Sequence, residues 1–199
     1  MNQAKLVAGV LVGTMLILVV VGMLMGRFTG ETSGAVDTAV LLDGARQATG
    51  SGEAKVTMVE WSDFQCPGCR QAEVIVKEIL NQYGDQVRLV YRHFPLTAIH
   101  KNAMAAAELT EAAATAGKFW QMHDLLFERQ NEWANDKDKL NEYRLKLGIN
   151  EGGSYKEFIE KDMEIGQKIG VNATPTFFVN GKRTTTAQLG SLVEAELKK

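Results

Sequence analysis

The chain has 199 residues, with 22 basic and 24 acidic side chains, a formal net charge of −2 and two cysteines. Without Lys5 and Arg27, the 20 basic and 24 acidic side chains of residues 28–199 give a net charge of −4, which does not indicate nucleic acid binding. The roughly 145 residues beyond residue 53 are enough for one domain with a full hydrophobic core, which excludes a small fold that depends on disulfides.

The N-terminal segment, residues 1–27, has the length and composition of a membrane span. Residues 6–26 contain no charged side chain, and a helix of these 21 residues extends about 30 Å, which matches the hydrocarbon core of a bilayer. A cleavable signal peptide has an apolar region of only about 7–15 residues. We therefore predict a transmembrane signal anchor over residues 1–27, with cleavage near residues 32–35 as the alternative.

The charges that flank this segment predict its orientation. Lys5 and the amino terminus precede it, whereas Arg27 follows it and is succeeded by Glu31 and Asp37. The positive-inside rule places the more basic side in the cytoplasm. We therefore expect a single-pass protein of the cytoplasmic membrane, with the following domain on the periplasmic or extracytoplasmic side.

Residues 28–53 are predicted to form a flexible linker. Two segments in this range, FTGETSG and RQATGSGE, are small, polar and rich in glycine. The folded domain is accordingly predicted over residues 54–199.

The domain opens with the pattern of a βαβ unit. Residues 55–63 and 87–94 are short runs that are mostly apolar on both faces, as in strands of a covered parallel sheet. Between them, apolar residues recur at helical spacing from Ala72 to Tyr83, and Gly84 supplies a helix stop.

The remainder of the domain is helical until the sheet resumes near the C-terminus. Residues from about 97 to 170 have helical periodicity throughout. The segment TPTFFVNGKRT then predicts a strand, a turn at Asn180 and Gly181, and a second strand, and a terminal helix bearing Leu189 and Leu192 follows. The fold class is therefore α/β, with a long helical segment inserted between strands.

Cys66 and Cys69 lie at the start of the first predicted helix of this domain. Cys69 precedes Ala72 by three residues, which places it on the buried face of the first turn. Cys66 lies one turn earlier, where unpaired backbone N–H groups and the helix dipole stabilise a thiolate, and Pro67 fits the first helical position. The spacing predicts a reactive thiol at Cys66 and a sheltered thiol at Cys69 that resolves a mixed disulfide.

Two other roles for the cysteines are weaker. A structural disulfide would close a loop of only two intervening residues and would remove little entropy from the unfolded chain. A zinc half-site would need further ligands from His93, His100, His123 or carboxylates, and the chain has no second CxxC motif. A CxxC motif between a strand and an amphipathic helix favours a redox couple, and no metal site is predicted.

Several motifs occur in the order found in one known family. They are VEWSDFQCPGC, FPLTAIHKNAMAAAE followed by GKFWQMHDLLF, and GVNATPTFFVNGK. Together they make residues 50–199 resemble the DsbA-like thioredoxin-fold proteins, particularly the membrane-tethered bacterial members. The resemblance implies a thioredoxin fold with an inserted helical domain over about residues 97–170, Cys66 as the nucleophile and Cys69 as the resolving thiol.

The resemblance also gives meaning to Glu60, six residues before Cys66. The family commonly keeps a buried acid at this point beneath the active site, and such an acid would take the proton from Cys69 when that thiol attacks. The alternative is a carboxylate at the strand end that is paired on the surface.

Thr174 and Pro175 match the family's substrate-binding position. The resemblance implies a cis bond between them that faces the cysteines and exposes the backbone of Thr174 to an extended substrate segment. The alternative is a loop proline without a function.

Between the cysteines, Pro67 and Gly68 replace a pair that often contains histidine, so one donor to the Cys66 thiolate is missing.

These observations predict a membrane-tethered thiol–disulfide oxidoreductase that donates the Cys66–Cys69 disulfide to unfolded or reduced exported proteins. The resemblance implies reoxidation by a quinone-linked membrane partner of the DsbB-like or VKOR-like kind. No cofactor is predicted. The alternatives are a disulfide isomerase or reductase on the same fold, and a non-catalytic tethered chaperone-like module that holds extended segments near Thr174 and Pro175.

Overall fold

The computed structural model describes residues 34–150 and 153–199, and Ala35–Lys199 form one unit of the chain. The predicted anchor and the first residues of the predicted linker lie outside the described residues. Within the described part, no helix is both long enough and apolar enough to span a bilayer.

Five strands, eight α-helices and two short 3-10 turns make up the described part of the chain. The strands are β1 (Gln47–Thr49), β2 (Val56–Ser62), β3 (Val87–His93), β4 (Thr176–Val179) and β5 (Lys182–Thr184). The helices are α1 (Thr38–Leu42), α2 (Pro67–Tyr83), α3 (Ala103–Thr115), α4 (Phe119–Glu128), α5 (Gln130–Trp133), α6 (Asp138–Lys146), α7 (Lys156–Lys168) and α8 (Leu189–Leu197). Helices α3 to α7 therefore occupy the interval between β3 and β4.

The strands form one sheet in the order β1-β3-β2-β4-β5. β2 and β3 are parallel along their whole length and are connected by α2, which confirms the predicted βαβ unit. β4 and β5 form the predicted hairpin. Its turn residues Asn180 and Gly181 have φ angles of 46° and 85°, the left-handed conformation that a two-residue hairpin turn of this kind requires.

Helices cover both faces of the sheet. On one face, α2 and α8 bury Val76 and Val193 against side chains of β2, β3 and β4. On the other face, α1 and α7 contribute Leu41 and Ile165 to a second buried cluster. Because side chains alternate along a strand, Glu60 of β2 lies on the face that α2 covers.

Helices α3 to α6 form a third core that reaches the start of α2. Its buried side chains include Met122, Leu126 and Trp133, and Phe64 and Cys69 belong to the same cluster. The predicted helical insertion, residues 97–170, thus divides in two. Helices α3 to α6 pack mainly on one another, whereas α7 packs on the sheet. The boundary between the sheet and the helical core lies beside the cysteines.

The structure corrects the second half of the predicted linker. Residues 38–42 form α1, whose first turn is capped by Asp37, and residues 47–49 form β1, which pairs with β3. Leu41 is 1% exposed, and the Gln47 amide donates to the Glu111 carboxylate at 3.0 Å. The sequence pattern missed both elements because a helix of five residues and a strand of three are too short to show periodicity.

We predict that Leu41→Ala lowers the free energy of unfolding by about 2–5 kcal/mol, because it removes a side chain that is buried against the sheet. Val40→Ala is the matched control, since Val40 is the neighbouring residue of α1 and is 42% exposed, and we expect a change within about 0.5 kcal/mol. Denaturant unfolding measures both. If residues 38–42 were a flexible tether, the two variants would unfold alike.

Candidate active site

Cys66 caps the N-terminus of α2, and Pro67 occupies the first position of that helix, as predicted. The turn that precedes the helix is closed by the Cys66 N–H, which donates to the Asp63 carbonyl at 3.0 Å. The Cys66 thiol is partly exposed. Its pKa is lowered to about 5, chiefly by interaction with the Cys69 thiol and further by the backbone N–H of Cys69, the side chain of Thr174 and the N–H of Gly68.

Cys69 is fully buried one turn further along α2. The Asp63 N–H points at the Cys69 sulfur at 3.5 Å. Burial raises the pKa of the Cys69 thiol well above its ordinary value, and the neighbouring Cys66 and Glu60 act in the same direction.

The loop before β4 lies directly opposite Cys66. The Thr174–Pro175 peptide bond is cis, and the Thr174 carbonyl accepts a hydrogen bond from Cys66 Sγ at 3.5 Å. A methyl group added at Gly68 would lie 3.5 Å from Pro175 Cδ and 3.6 Å from Cys66 Sγ. The structure therefore brings together Cys66, Gly68 and the Thr174–Pro175 loop, as the resemblance implies.

Glu60 lies beneath α2 and is 1% exposed, which contradicts the alternative of a surface-paired carboxylate. Neither carboxyl oxygen has a hydrogen-bond partner among the described residues. Burial, and then the charge of Glu73, raises the pKa of Glu60 to about 8. A carboxyl group with this pKa exchanges its proton near neutral pH, and its charge in turn acts on Cys69.

Two hydroxyl groups that were not predicted from the sequence lie in the same region. Ser62 lies two residues after Glu60 on β2 and so shares its face, and Tyr91 of β3 pairs with Glu60 in register. Both hydroxyl oxygens are buried without a hydrogen-bond partner in the part of the chain that is described. The alternation of side chains along β2 could have predicted that Ser62 shares a face with Glu60. The position of Tyr91 beside Glu60 could be predicted only from the pairing register of β2 and β3.

The loop that carries Cys66 is held by side chains from the helical segment. Asp63 accepts at 2.7 Å from His100, which gives that histidine a structural role. Gln65 donates to the Ala134 carbonyl at 2.7 Å. The Gln130 amide donates to the carbonyls of Phe64 and Cys66 at 2.7 and 3.0 Å. These bonds connect the N-terminus of α2 to α5 and to the loop after β3.

The other histidines do not supply a metal site at the cysteines. His93 pairs with Glu111 at 3.0 Å. Within the described residues, one group of three potential ligand atoms lies within 4.8 Å, formed by Glu73, His123 and Asp124, and it contains neither cysteine. The zinc half-site considered from the sequence is therefore unsupported by the described residues.

Comparison with known proteins agrees with this site. The sequence model of a family described as thioredoxin matches residues 43–197. Among solved structures, oxidised BdbD from Bacillus subtilis is 25% identical, with a TM-score of 0.63 and coverage of 84% of this chain and 98% of that chain. The thiol–disulfide exchange protein alpha-DsbA2 from Wolbachia pipientis shares the fold, with 16% identity, a TM-score of 0.67 and coverage of 79% and 90%.

In curated relatives, the segment that matches this chain is part of a longer protein. The Na(+)/H(+) antiporter NhaA 3 of Salinispora tropica is 43% identical over 164 residues, which is 77% of this chain and 24% of the relative. The Na(+)/H(+) antiporter NhaA 1 of Mycolicibacterium gilvum is 35% identical over 146 residues, 67% of this chain and 23% of the relative. The chain thus spans about a quarter of the length of these curated relatives.

The paired thiols, the cis-proline loop opposite them and the sheet with its helical insertion define a thiol–disulfide oxidoreductase domain of the DsbA-like type. The chain belongs to the thioredoxin family whose sequence model covers residues 43–197. This confirms the resemblance stated from the motifs.

We predict that alkylation of the reduced protein by iodoacetamide occurs at Cys66 with a rate that rises through about pH 5, because the thiolate is the reactive form and the Cys66 pKa is about 5. Cys69 should stay unmodified over the same range, because burial raises its pKa and limits access. Peptide mass spectrometry after timed quenching measures both rates. Equal rates at the two cysteines, or a Cys66 midpoint near 9, would contradict the asymmetry.

We predict that Glu60→Gln stabilises the reduced protein more as the pH rises. Glu60 has a folded-state pKa of about 8 and an ordinary value of 4.5, so the folded wild type holds an extra proton between these values and loses stability with rising pH. The advantage of the variant should grow by at most about 1.4 kcal/mol per pH unit in this window. Urea unfolding in reducing buffer at several pH values measures it.

Glu78→Gln, which removes an exposed carboxylate from α2, is the control for this measurement. A difference between Glu60→Gln and wild type that stays constant from pH 4.5 to pH 8 would show that Glu60 ionises normally.

Proposed function

We propose that the protein is a disulfide-donating oxidase for reduced exported proteins. The observation that carries the proposal is the pairing of a partly exposed Cys66, whose thiolate is stabilised at the start of α2, with a buried Cys69. A stabilised thiolate favours the reduced form of the couple and so makes its disulfide a stronger oxidant.

In the proposed reaction, a substrate thiolate attacks Cys66 Sγ, and the Cys66–Cys69 bond breaks. Cys69 leaves as a thiolate and takes a proton from Glu60. The second substrate thiolate then attacks the substrate sulfur of the mixed disulfide, and Cys66 leaves as a thiolate. The substrate has lost two electrons and gained a disulfide, and the cysteine pair has gained the two electrons.

The Thr174–Pro175 loop is proposed to hold the substrate during this exchange. Thr174 and Pro175 are partly exposed, and the Thr174 carbonyl lies 3.5 Å from Cys66 Sγ. An extended segment that pairs with the backbone at Thr174 would place its own cysteine at Cys66. Backbone pairing does not depend on the substrate sequence, which suits an enzyme that acts on many unfolded proteins.

Reoxidation is proposed to use a quinone-linked membrane partner of the DsbB-like or VKOR-like kind. The Cys66 thiolate attacks the partner's disulfide, and Cys69, after giving its proton to Glu60, attacks Cys66 Sγ and releases the partner's thiolate. The proposed location is the extracytoplasmic face of the cytoplasmic membrane, with residues 6–26 as the tether. The curated relatives support membrane attachment, because they are named Na(+)/H(+) antiporters and contain a matching segment.

A reductase is the second candidate, and the Pro67–Gly68 dipeptide favours it. Neither residue carries a side-chain donor for the Cys66 thiolate, so the dipeptide stabilises that thiolate only through the backbone N–H of Gly68. The two candidates differ in the reduction potential of the same couple.

We predict a reduction potential between about −270 mV, the thioredoxin value, and about −120 mV, the DsbA value, and nearer the latter. The interval corresponds to about 7 kcal/mol for a two-electron couple, so a position within it is measurable. Equilibration of the protein with glutathione buffers, followed by quantification of the Cys66–Cys69 disulfide, gives the value.

The double variant Cys66→Ser and Cys69→Ser is the control and should oxidise no reduced substrate. A potential at or below that of thioredoxin would replace the oxidase with the reductase. The chaperone-like alternative would instead be supported if the wild type showed no thiol–disulfide exchange and the double variant still held unfolded proteins as well as the wild type.

A further inference from the structure

Arg70 lies one helical turn beyond Cys66. The Arg70 N–H donates to the Cys66 carbonyl at 3.2 Å, so the two residues are related as i and i+4 and lie on one face of the helix. The Cβ atoms of residues with this relation are about 5–6 Å apart. Both side chains are partly exposed, so Arg70 and the reactive thiol are open to the same solvent region.

The guanidinium of Arg70 is held beside Cys66 by α5. Arg70 Nη1 donates to the side-chain oxygen of Asn131 at 3.0 Å. Gln130, the preceding residue of α5, donates to the Cys66 carbonyl at 3.0 Å. Because adjacent residues of one short helix make these two contacts, the charge of Arg70 lies next to the Cys66 turn. Its Nε and Nη2 groups make no hydrogen bond with the described residues and are free to donate to a bound molecule.

The charge of Arg70 is not neutralised by an acidic side chain within the described residues. Glu132 is the acid next to Asn131 in the sequence, but it accepts hydrogen bonds from Arg129 at 2.9 Å and from the Tyr143 hydroxyl at 2.8 Å. A guanidinium with free N–H groups binds carboxylates through strong, charge-assisted hydrogen bonds. Arg70 therefore presents a carboxylate-binding group at the reactive thiol.

A second basic residue, Lys101, borders the same turn from the loop after β3. On one side of it His100 is bound to Asp63 at 2.7 Å, and on the other the Asn102 N–H donates to the Gln65 side chain at 2.8 Å. Lys101 is thus fixed next to the turn before Cys66 by both of its neighbours. Its side chain is exposed and has no acidic partner in the described part of the chain.

We propose that this basic rim, formed by Arg70 and Lys101, makes the enzyme prefer reduced polypeptides that carry an aspartate or glutamate two residues from the reacting cysteine. The inference rests on the proposed disulfide exchange and names its substrate class. Residues 28–199 contain 20 basic and 24 acidic side chains, so the net charge of the domain repels an acidic segment. The preference has to come from the two unpaired cations at the site.

The spacing of an extended substrate fits this rim. In a strand that pairs with the backbone at Thr174, side chains two residues apart point to the same face and are separated by about 7 Å. When the substrate cysteine points at Cys66, its neighbours at this spacing therefore also point at the protein. The distance is close to the separation of about 5–6 Å between the Cβ atoms of Cys66 and Arg70.

The test measures how fast short peptides reduce the Cys66–Cys69 disulfide of the oxidised protein. Three peptides with a single cysteine differ only at the positions two residues before and after it, which are both glutamate, both glutamine or both lysine. The peptide thiolate attacks Cys66 Sγ and Cys69 leaves as a thiolate, and acid quenching with mass spectrometry follows the loss of the disulfide. Rates are expressed per peptide thiolate, because the flanking charges change the pKa of the peptide thiol. For the wild type we expect the order glutamate, glutamine, lysine, from fastest to slowest.

The variants separate recognition from a change in the thiols. Arg70→Gln should lower the ratio of the rates with the glutamate and glutamine peptides about two- to fivefold, as expected for an exposed ion pair. Arg70→Lys should keep most of the ratio, because it keeps the charge. Adding Lys101→Gln to Arg70→Gln should remove the preference. A change in Cys66 reactivity alters the rates with all peptides alike and cancels in the ratio.

Arg88→Gln is the matched control. Arg88 is a partly exposed arginine at the start of β3, and Cys66 follows the other end of the parallel strand β2. This variant should keep the wild-type ratio. Raising the salt concentration from about 0.05 M to about 0.5 M should reduce the preference of the wild type, because salt screens exposed charges.

Equal rates of the wild type with the glutamate and glutamine peptides would overturn the preference, as would an unchanged ratio in Arg70→Gln or a preference that survives in the double variant. If no peptide reduced the Cys66–Cys69 disulfide, the proposed exchange itself would be wrong. The first results concern the rim alone, so the two failures are distinguishable.

Discussion

The packing of α2 over β2 is the constraint on which the rest of the site depends. It leaves Cys66, the residue before the helix, partly exposed and buries Cys69 in the first turn of the helix. Cys66 and Cys69 are chemically identical side chains, yet their thiol pKa values move in opposite directions. The Cys66 thiolate is stabilised by the Cys69 thiol and by backbone N–H groups at the helix start, whereas burial disfavours the thiolate of Cys69. Stepwise exchange needs this inequality, since one thiol must react first and the other must wait.

The same packing encloses polar groups that a hydrophobic core would not retain for stability. Glu60, Ser62 and Tyr91 lie together on one face of the sheet, and their terminal oxygens lack hydrogen-bond partners in the described part of the chain. Each such group costs about 1–3 kcal/mol, against a total stability of about 5–15 kcal/mol for a typical domain. Natural proteins keep such unfavourable buried polar groups mainly at functional sites, where the groups take part in the chemistry. The polar groups around Cys69 therefore support a role in moving its proton.

The helical segment completes the site rather than merely covering it. Gln130 holds the carbonyls on either side of Gln65, and His100 holds Asp63, so the turn before Cys66 is fixed from outside the sheet. His123 reaches the same region from α4. The helices between β3 and β4 thus supply the side chains that hold the turn before Cys66, and they also supply His123 beside the buried acids. This dual use explains why the helical core and the cysteine pair belong to one hydrophobic cluster.

The βαβ unit, the final hairpin and the placement of Cys66 at the start of a helix were predictable from the sequence, because helix starts, periodicity and turn residues are local signals. The family motifs added the cis bond at Thr174. The burial of Glu60, rather than its pairing at the surface, and the packing of residues 38–42 against the sheet became evident only from the folded structure. The tertiary structure also decided the contacts around Cys69, since they join strands and helices far apart in the chain, and burial depends on how those elements pack rather than on any short stretch of sequence.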